Sequence, residues 1–404
     1  MFKNFSCVDY VIIGAGIVGL SIARELVRQY PQAKIALLEK ESEIGLHASG
    51  RNSGVLHSGI YYEEASLKAR FCLEGAKAMA AYCDEHQLPI NRIGKVIVAQ
   101  KKTDGPVLEM LYQRALKNGA QVSLLRESDL RKIEPEVFTA TDLALFSPET
   151  AVVDPKAILS HLYHNLVKNK VDIYFNSCCS QINAKQKKIN IGGRVISYGH
   201  LFNSAGLYAD KIAKACGLDD RYIMIPFKGL YYQLASSSLI NIKHLIYPIP
   251  DMNMPFLGIH FTKSIDGKIY IGPTAIPSLG REQYQGLKGL NMKETRDTFI
   301  ALAQQYFTNK QGFRSYTHQE LSRFIKPCFL ASARSLVPNL TKNDMLKSPK
   351  VGIRAQLLDK FKRELVMDFV VSNTENETHV LNAVSPAFTS AFSFAKYIIS
   401  PSSQ

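Results

Sequence analysis

The sequence of 404 residues has no long uninterrupted apolar segment. Its longest apolar stretch, residues 8–23, is interrupted by Asp9 and three glycines, whereas a membrane-spanning helix needs about 20 apolar residues in a row. The sequence also lacks the layout of a secretory signal peptide at its start. We therefore expect a cytoplasmic protein without a membrane-spanning helix.

Paired cysteine motifs are also missing. The seven cysteines lie at positions 7, 72, 83, 178, 179, 216 and 328, and they form neither a C-x-x-C motif nor a spacing typical of a zinc site. This pattern favours free thiols in a reducing compartment and predicts no metal site. Cys178 and Cys179 fall in a predicted strand, residues 172–182, where packing explains them better than redox chemistry.

Acidic residues are few relative to basic ones: 35 Asp and Glu stand against 49 Lys and Arg, a net charge of +14. The basic residues are widely spread, with short clusters at 185–188 and 360–363. No nucleic-acid-binding module is visible, so we expect no nucleic acid partner. The charge favours anionic substrates and peripheral contact with the inner face of an anionic membrane. Solvated surface is the alternative explanation for each cluster.

Residues 8–39 form the most informative segment. An apolar run, 8–13, predicts a buried parallel strand. The following turn fits G-x-G-x-x-G, and a helical pattern leads to a second strand, 35–38. In this context the glycines allow a tight turn, close approach of a pyrophosphate and close helix packing. The predicted dinucleotide contacts are Gly14, Ala15, Gly16, Ile17, Val18, Gly19, Glu39 and Lys40.

Glu39 narrows the choice of dinucleotide. It lies about 20 residues after Gly19, where a carboxylate accepts hydrogen bonds from a ribose with free hydroxyl groups. A 2′-phosphate would be repelled there, which disfavours NADP and leaves NAD and FAD open. The alternative is a glycine-rich strand–helix turn that binds nothing.

The loop that follows, residues 43–62, favours FAD over NAD. It is rich in Gly and Ser, and it also carries two His, one Arg and two Tyr. A flavoprotein needs a long polar loop that wraps the pyrophosphate and ribityl and reaches the isoalloxazine edge. The predicted cofactor contacts are Ser49, Arg51, Asn52, Ser53 and Gly54, with His57 and Tyr61 nearer the ring. A surface loop with chance glycines is the alternative.

From this loop onward the sequence resembles the L-2-hydroxyglutarate dehydrogenase/oxidase family, which belongs to the D-amino-acid-oxidase-like FAD oxidoreductases. The most specific stretches are 47–62 and 244–260, and similar ones occur at 66–73, 94–96, 266–267, 272–273, 352–356 and 382–390. The resemblance implies FAD as cofactor and a small dicarboxylate as substrate. The reaction would be oxidation of L-2-hydroxyglutarate to 2-oxoglutarate, with electrons passed to a quinone or to oxygen.

Chain length, strand–helix alternation and this resemblance together predict an α/β fold with two domains. We expect a Rossmann-like FAD-binding domain formed by residues 1–86, 146–215 and 335–404. An inserted α+β substrate domain, residues 87–145 and 216–334, should carry a mostly antiparallel sheet, because its strands alternate and are punctuated by Pro and Gly.

Oxidation of a 2-hydroxy acid requires a base for the hydroxyl proton. His57 is the first choice, because its loop should reach the flavin ring. His260 is the second choice, on a predicted strand. A histidine satisfied within the core would also explain His260.

The reaction also requires cations that hold the substrate carboxylates in place. Arg354 stands in a strand of small and apolar residues, where it would pair either bidentately with a ligand carboxylate or with an acid of the protein. Lys228 is a second candidate cation. Tyr61 and Tyr232 are candidate hydroxyl donors to the substrate.

Two later segments complete the predicted cofactor site. The layout of residues 201–210 brings backbone close to a dinucleotide in the wider superfamily, although a tight strand–helix turn also explains it. Residues 382–391 form a turn before a helix whose N-terminal amides could face the flavin pyrimidine. The contacts predicted from these segments are Ala205, Gly206, Pro386, Ala387 and Thr389, and Arg354 is added as a further cofactor contact.

Three positions depart from the family pattern. Arg51 stands where His is usual, Lys228-Gly229-Leu230 replaces Arg-Gly followed by an acid, and residues 359–363 replace an Asp-Gly. These changes concern substrate recognition rather than FAD binding. The alternatives are therefore an FAD oxidase of another 2-hydroxy acid or of an amino acid, and a non-catalytic, membrane-associated flavoprotein that carries electrons.

Overall fold

The computed structural model describes residues 7–400, apart from the side chain of Ser180. Within this range the strands are β1 (Cys7–Ile13), β2 (Ile35–Leu38), β3 (Val55–Leu56), β4 (Ile90–Asn91), β5 (Lys95–Val98), β6 (Ser123–Arg126), β7 (Leu143–Ser147), β8 (Ala151–Val153), β9 (Asp172–Tyr174), β10 (Cys179–Asn183), β11 (Lys188–Ile191), β12 (Arg194–Asn203), β13 (Tyr222–Leu234), β14 (Leu245–Pro248), β15 (His260–Lys263), β16 (Ile269–Gly272), β17 (Ile276–Pro277), β18 (Met345–Asp359), β19 (Glu364–Leu365), β20 (Val370–Asn373) and β21 (Glu377–Asn382). The α-helices in the same range are α1 (Ile17–Gln29), α2 (Ala48–Arg51), α3 (Leu67–Glu85), α4 (Gly105–Lys117), α5 (Glu127–Ile133), α6 (Pro155–Lys168), α7 (Ala209–Ala215), α8 (Met292–Thr308), α9 (Phe313–Ser322), α10 (Lys326–Arg334) and α11 (Ala387–Ile399).

The first sheet has a parallel centre. β12, β1, β2 and β9 are neighbours in that order and run parallel, and β21 adds in parallel to the end of β12. The hairpin β10–β11 and strand β20 are antiparallel additions. The predicted strand–turn–helix–strand unit is therefore present as β1, α1 and β2.

Both faces of the parallel centre of this sheet are buried, as the apolar run 8–13 predicts for parallel strands. Ile12 and Leu37 face a core shared with α1, α6, α3 and α11. Val11 and Leu38 face the opposite core, against Ile212 of α7. Each such buried aliphatic side chain contributes roughly 1.5–3 kcal/mol, so both alternating faces help to stabilise the sheet.

One predicted strand is wrong in its extent. Residues 172–182 form two strands, β9 and β10, in different positions of the first sheet. Asn176 between them has a φ of 51°, a left-handed conformation that ends an extended segment. All seven cysteines are free thiols, and Cys178 precedes β10.

The second sheet has ten strands in the order β19-β18-β13-β16-β15-β14-β5-β7-β6, with β17 paired to β13. Its neighbours are antiparallel except β5 and β14, which run parallel. The predicted mostly antiparallel sheet is therefore confirmed. A third, small sheet of β3, β8 and β4 is also present.

The two faces of the second sheet have different partners. One face packs on α10, where Val96 and Phe261 meet Phe329. On the other face, Ile97 packs against Leu111 of α4, and Phe227 belongs to a separate cluster with residues of α8 and α9. Between these two packed areas, side chains of the central strands face a cavity.

The predicted division into two domains stays a prediction. Strand pairing places parts of the last predicted segment, residues 335–404, in both large sheets. Residues 345–359 form β18, which pairs along β13 in the second sheet rather than in the first. Residues 377–382 form β21, which pairs with β12 of the first sheet. Across residues 7–400, the helices are too short or too polar to cross a bilayer.

Candidate active site

A cavity of about 840 Å³ lies between the first and second sheets. Ile13 and Leu38, at the carboxyl ends of β1 and β2, line one side, and Tyr231, His260 and Arg354 of the second sheet line the other. Open α/β sheets bind ligands at the carboxyl ends of their strands. The volume falls within the roughly 300–1,000 Å³ typical of ligand pockets.

The glycine turn after β1 leaves no room for side chains. Gly14 has a φ of +102°, and a Cβ built there would lie 2.6 Å from the carbonyl oxygen of Ser204. A Cβ on Gly19 would lie 1.9 Å from the Gly14 oxygen. Gly14 thus allows the turn to approach the segment after β12, and Gly19 allows α1 to pack on the turn.

The N-terminus of α1 faces the cavity. Its N-cap residue is Gly16, which has no side chain to cap the helix, and its first turn has no acidic residue. Gly16, Ile17 and Val18 all line the cavity, and the Ile17 amide donates to Ser49 Oγ at 2.9 Å. The positive end of the helix dipole is therefore available to an anionic group such as a pyrophosphate.

Glu39 is held at the end of β2 and is only 8% exposed. Its Oε2 accepts from the Ala15 amide at 2.8 Å, and its Oε1 accepts from the Glu41 amide at 3.0 Å. Each carboxylate oxygen keeps a second lone pair for another donor. Because Glu39 also lines the cavity, its position fits acceptance of ribose hydroxyl groups.

Arg51, the departure from the family pattern, makes local contacts of its own. Its Nε donates to Leu46 O at 2.6 Å and its guanidinium lies 4.2 Å from the ring centre of Tyr284. The Tyr284 hydroxyl lies 2.9 Å from His47 Nδ1. Arg51 therefore joins the polar loop to the segment between β17 and α8.

Lys40 makes a second connection at the same rim. Its ammonium pairs with Glu41 and with Glu282, the latter at 2.6 Å. His47 Nε2 lies 2.9 Å from Glu41 Oε1. Glu41, His47 and Glu282 have ligand atoms close enough to hold a metal ion, but Lys40 supplies the positive charge that these carboxylates need.

The N-terminus of α11 forms another wall. Its N-cap, Pro386, provides no side-chain cap, and the first turn lines the cavity through Ala387 and Thr389. Thr389 Oγ1 accepts from the His57 amide and donates to Val55 O, both at 3.2 Å. The last helix thereby orients the segment that carries His57.

His57 is 9% exposed, and its Nδ1 has no hydrogen-bond partner among residues 7–400. Burial, together with the charge of Lys95 and the nearby His260, lowers the pKa of His57 to about 3. The imidazole is therefore neutral at physiological pH. A neutral imidazole that lines the cavity has the protonation state required of a proton acceptor.

His260 is 4% exposed and has a defined tautomer. Its Nδ1 donates to Gly258 O at 2.8 Å, which leaves Nε2 unprotonated in the neutral ring. Burial lowers the pKa of His260 to about 4 against that hydrogen bond, with the charges of Arg354 and Lys95 adding to the effect. His260 is thus as well prepared as His57 to accept a proton.

Arg354 lines the cavity from β18 and is half-buried. It donates to Thr274 O at 3.1 Å, and no carboxylate oxygen of the described residues lies within the 4.0 Å of an ion pair. Of the two alternatives for this arginine, pairing with an acid of the protein is therefore not observed. Its guanidinium is available to a ligand carboxylate.

Three tyrosines line the same part of the cavity: Tyr61, Tyr231 and Tyr247. The ring centres of Tyr247 and His260 are 4.1 Å apart. Burial raises the pKa of Tyr61 well above its usual value, and its hydroxyl has no partner within residues 7–400. Tyr61 therefore remains a protonated donor that a ligand can engage.

Five of the predicted site residues do not line the cavity. Lys228 and Tyr232 flank the lining residues of β13, and Tyr232 packs on Phe329, with ring centres 4.7 Å apart. Successive side chains of a strand alternate between faces, so Gly229 and Tyr231 face the cavity instead. Ala15, Gly19 and Gly54 contribute backbone structure around the turn and loop. The remaining predicted residues all line it: Gly14, Gly16, Ile17, Val18, Glu39, Lys40, Ser49, Arg51, Asn52, Ser53, His57, Tyr61, Ala205, Gly206, His260, Arg354, Pro386, Ala387 and Thr389.

Sequence reasoning missed several residues of this region. Strand alternation would have indicated Tyr231 and Tyr247 if the strand face that carries Gly229 and His260 had been known to face the cavity. Lys68 lines the cavity from the first turn of α3, and burial lowers its pKa to about 8. Lys95 is fully buried beside the histidines, and a lysine that opens the apolar strand Lys-Val-Ile-Val was the available signal.

One side of the cavity fits a flavin dinucleotide. The closely packed glycine turn suits a pyrophosphate, and the oriented Glu39 suits a ribose. The two helix N-termini, whose N-cap residues provide no side-chain cap, suit the pyrophosphate and an electron-rich ring edge. The family model for FAD-dependent oxidoreductases, DAO, matches residues 9–400.

Curated relatives resemble the chain over nearly its whole length. The L-2-hydroxyglutarate dehydrogenase of Salmonella houtenae is 35% identical, covering 97% of this chain and 92% of its own. The enzyme of the same name from Escherichia coli K12 is 34% identical with the same coverage. The human mitochondrial L-2-hydroxyglutarate dehydrogenase is also 34% identical, covering 97% of this chain and 88% of its own.

Solved structures share the fold at lower identity. L-α-glycerophosphate oxidase from Mycoplasma pneumoniae, with FAD bound, has a TM-score of 0.76 at 20% identity, covering 97% of this chain and 94% of its own. Glycine oxidase from Geobacillus kaustophilus has a TM-score of 0.70 at 14% identity, covering 98% and 94%. The match over residues 9–400 and the 34–35% identity to the curated relatives identify the chain as a member of the L-2-hydroxyglutarate dehydrogenase family of FAD-dependent oxidoreductases.

Proposed function

We propose that the protein oxidises L-2-hydroxyglutarate to 2-oxoglutarate and passes the electrons to a quinone or to oxygen. The activity named for its relatives supports this substrate. The observation that carries the proposal is chemical: two neutral imidazoles and an arginine without a protein carboxylate line the same cavity. A 2-hydroxy acid supplies the matching groups, a hydroxyl proton and a carboxylate.

In this mechanism Arg354 binds a substrate carboxylate. The planar guanidinium donates two parallel hydrogen bonds to a carboxylate, which fixes orientation as well as position. Thr274 O already holds one of its nitrogens at 3.1 Å, so part of the rotamer entropy is lost before substrate binds. The α-carbon is thereby held in one orientation relative to the histidines.

The hydroxyl proton passes to one of the two histidines. His57 is the first choice because of its loop, and His260 has the better defined tautomer, with Nε2 unprotonated. As the histidine accepts the hydroxyl proton, the hydride leaves the carbon that bears this hydroxyl group, and the alcohol becomes a ketone. FAD, when bound, supplies the two-electron acceptor for that hydride. The tyrosine hydroxyls, including that of Tyr61, remain protonated and donate hydrogen bonds.

The N-terminus of α11 stabilises negative charge in this scheme. Its first-turn amides face the cavity without a side-chain cap, and helix N-termini favour anionic groups. The Ala387 and Thr389 region would lie against the part of the cofactor that becomes electron-rich on reduction.

Peripheral contact with an anionic membrane is the further part of the proposal. Apolar side chains of the segment 292–325, which includes α8 and α9, are exposed, among them Met292 (91%), Phe307 (76%) and Phe324 (55%). Exposed apolar patches often mark interaction surfaces, and the net charge of +14 favours anionic lipid. Membrane contact would favour a quinone as acceptor. Flotation with anionic and with neutral vesicles tests it, and equal recovery in the unbound fraction would exclude it.

An anaerobic substrate panel tests the activity. L-2-Hydroxyglutarate should bleach the flavin absorbance, whereas D-2-hydroxyglutarate and L-lactate should act much more slowly. Replacement of the true base, as His57→Gln or His260→Gln, should lower kcat by about 10²- to 10⁴-fold. The other substitution should act mainly on KM. A yellow protein that L-2-hydroxyglutarate does not reduce would overturn the substrate assignment.

A further inference from the structure

Lys95 is a charged residue that the mechanism above does not use. It begins β5 and is 0% exposed, and its Nζ has no hydrogen-bond partner among the residues described here. Burial of an ammonium group without a partner is costly, by several kcal/mol in general. The rest of the strand is Val-Ile-Val, so packing alone gives no reason for a lysine at this position.

Two cavity tyrosines lie close to the Lys95 ammonium. Its Nζ lies 4.9 Å from the ring centre of Tyr61 and 5.3 Å from that of Tyr247. Both distances are within the roughly 6 Å of a cation–π contact. Tyr247 in turn packs on His260, with ring centres 4.1 Å apart. Lys95 is therefore connected through two aromatic rings to the wall that carries the histidines.

We propose that Lys95 is a positioning residue for the anionic substrate. It fixes the rings of Tyr61 and Tyr247 and provides an uncompensated positive charge behind the wall that they form with His57 and His260. This inference rests on the proposed oxidation of a 2-hydroxy dicarboxylate. Such a substrate has two carboxylates, and the cavity would then have two cations for them, Arg354 at its lining and Lys95 behind it.

The charges around Lys95 agree with this role. Burial raises the pKa of the neighbouring Cys72 thiol to about 12, so it stays neutral and does not compensate the ammonium. Lys68, the other lysine near Cys72, has the negative charge of Asp368 nearby. His57 and His260 are neutral, and Arg354 is positive. Within residues 7–400, the immediate surroundings of Lys95 therefore lack a negative charge, and an anionic ligand would supply one in a medium of low dielectric constant.

The proposal predicts a specific pH dependence. Burial lowers the pKa of Lys95 to about 8, so the group is charged at pH 7 and loses its charge as the pH rises through that value. Affinity for a dicarboxylate should therefore fall above pH 8. Lys68 and Lys350 also have a pKa lowered to about 8, so substitutions at position 95 are needed to assign the effect.

The test measures the dissociation constant of glutarate, a dicarboxylate that cannot be oxidised at C2, from the change in the flavin spectrum of the FAD-loaded protein between pH 6 and 10. Lys95→Met should weaken binding about 10-fold or more at pH 7, and its affinity should no longer depend on pH near 8. Lys95→Arg should bind normally at pH 7 and keep that affinity to pH 10, because a guanidinium stays charged. Lys326→Met is the matched control, since this lysine lies 5.5 Å from the ring of Tyr232, away from the cavity.

The two variants separate the outcomes. Normal glutarate binding by Lys95→Met, or an unchanged fall near pH 8 in Lys95→Arg, would overturn the proposal. If Lys95→Met does not retain FAD, the Lys95→Arg profile alone decides. Glutarate binding that depends on Lys95 in a protein that does not oxidise L-2-hydroxyglutarate would support this inference and overturn only the proposed reaction.

Discussion

Substitution of Arg354 by lysine provides a direct test of carboxylate recognition. The change keeps the positive charge but removes the fork that allows two parallel hydrogen bonds. A hydrogen bond to a charged group contributes about 1.5–3 kcal/mol, which corresponds to roughly 10- to 150-fold in kcat/KM at about 1.4 kcal/mol per decade. Because Arg354 is half-buried rather than fully buried, we expect the lower part of this range, about 10- to 30-fold, for Arg354→Lys and about 100-fold for Arg354→Met.

Anaerobic stopped-flow reduction of the flavin at varied L-2-hydroxyglutarate measures this effect without involving the electron acceptor. The matched control is Arg334→Lys. Arg334 also donates to a backbone oxygen, that of Leu340 at 2.6 Å, but it does not line the cavity. The control should stay within about twofold of the wild type. Arg354→Lys with the same kcat/KM as the control would refute the role of the guanidinium.

Two further predictions concern the cofactor turn and the buried histidines. Gly14→Ala should yield protein with little or no FAD, because its Cβ would meet Ser204 O at 2.6 Å at a φ of +102°, and the flavin-to-protein absorbance ratio measures this; stoichiometric FAD in the variant would contradict it. Burial lowers the pKa of His260 and His379 to about 4, whereas the unfolded chain binds these protons near 6.5. Stability should therefore be full above about pH 6.5 and fall towards pH 4, by up to ~1.4 kcal/mol per pH unit for each histidine, and denaturant unfolding at pH 7, 6 and 5 measures it. An unfolding free energy that does not fall over this range would show that the histidines are not held neutral.

The dinucleotide-binding unit could be predicted from the sequence almost completely. Its strands, its glycine turn and Glu39 lie within about thirty consecutive residues, and each is specified by local periodicity or by backbone geometry. The polar loop could also be recognised from the sequence, and most of its predicted contacts line the cavity. The mostly antiparallel second sheet followed from alternation and from Pro and Gly punctuation.

The substrate side of the cavity was harder to predict. The sequence predicts Lys228 and Tyr232 as site residues, whereas their neighbours Gly229 and Tyr231 line the cavity. Adjacent residues of a strand face opposite sides, so a shift of one residue exchanges the faces. Nothing in the segment 226–232 indicates which face meets the cavity. That choice depends on the pairing of β13 with β18 and on the helices that cover the opposite side.

The sequence by itself determined the cofactor class and the glycine turn and indicated the two candidate histidines, because these depend on short segments whose geometry is set locally. Only the tertiary structure decided which side chains share the cavity: it brings residues 57, 260 and 354 to one cavity and buries Lys95 near them with no hydrogen-bond partner among residues 7–400. The physical reason is that burial and the distances between charges are properties of packing between distant segments. A lysine beside valine in a sequence has neither property until the sheets are assembled.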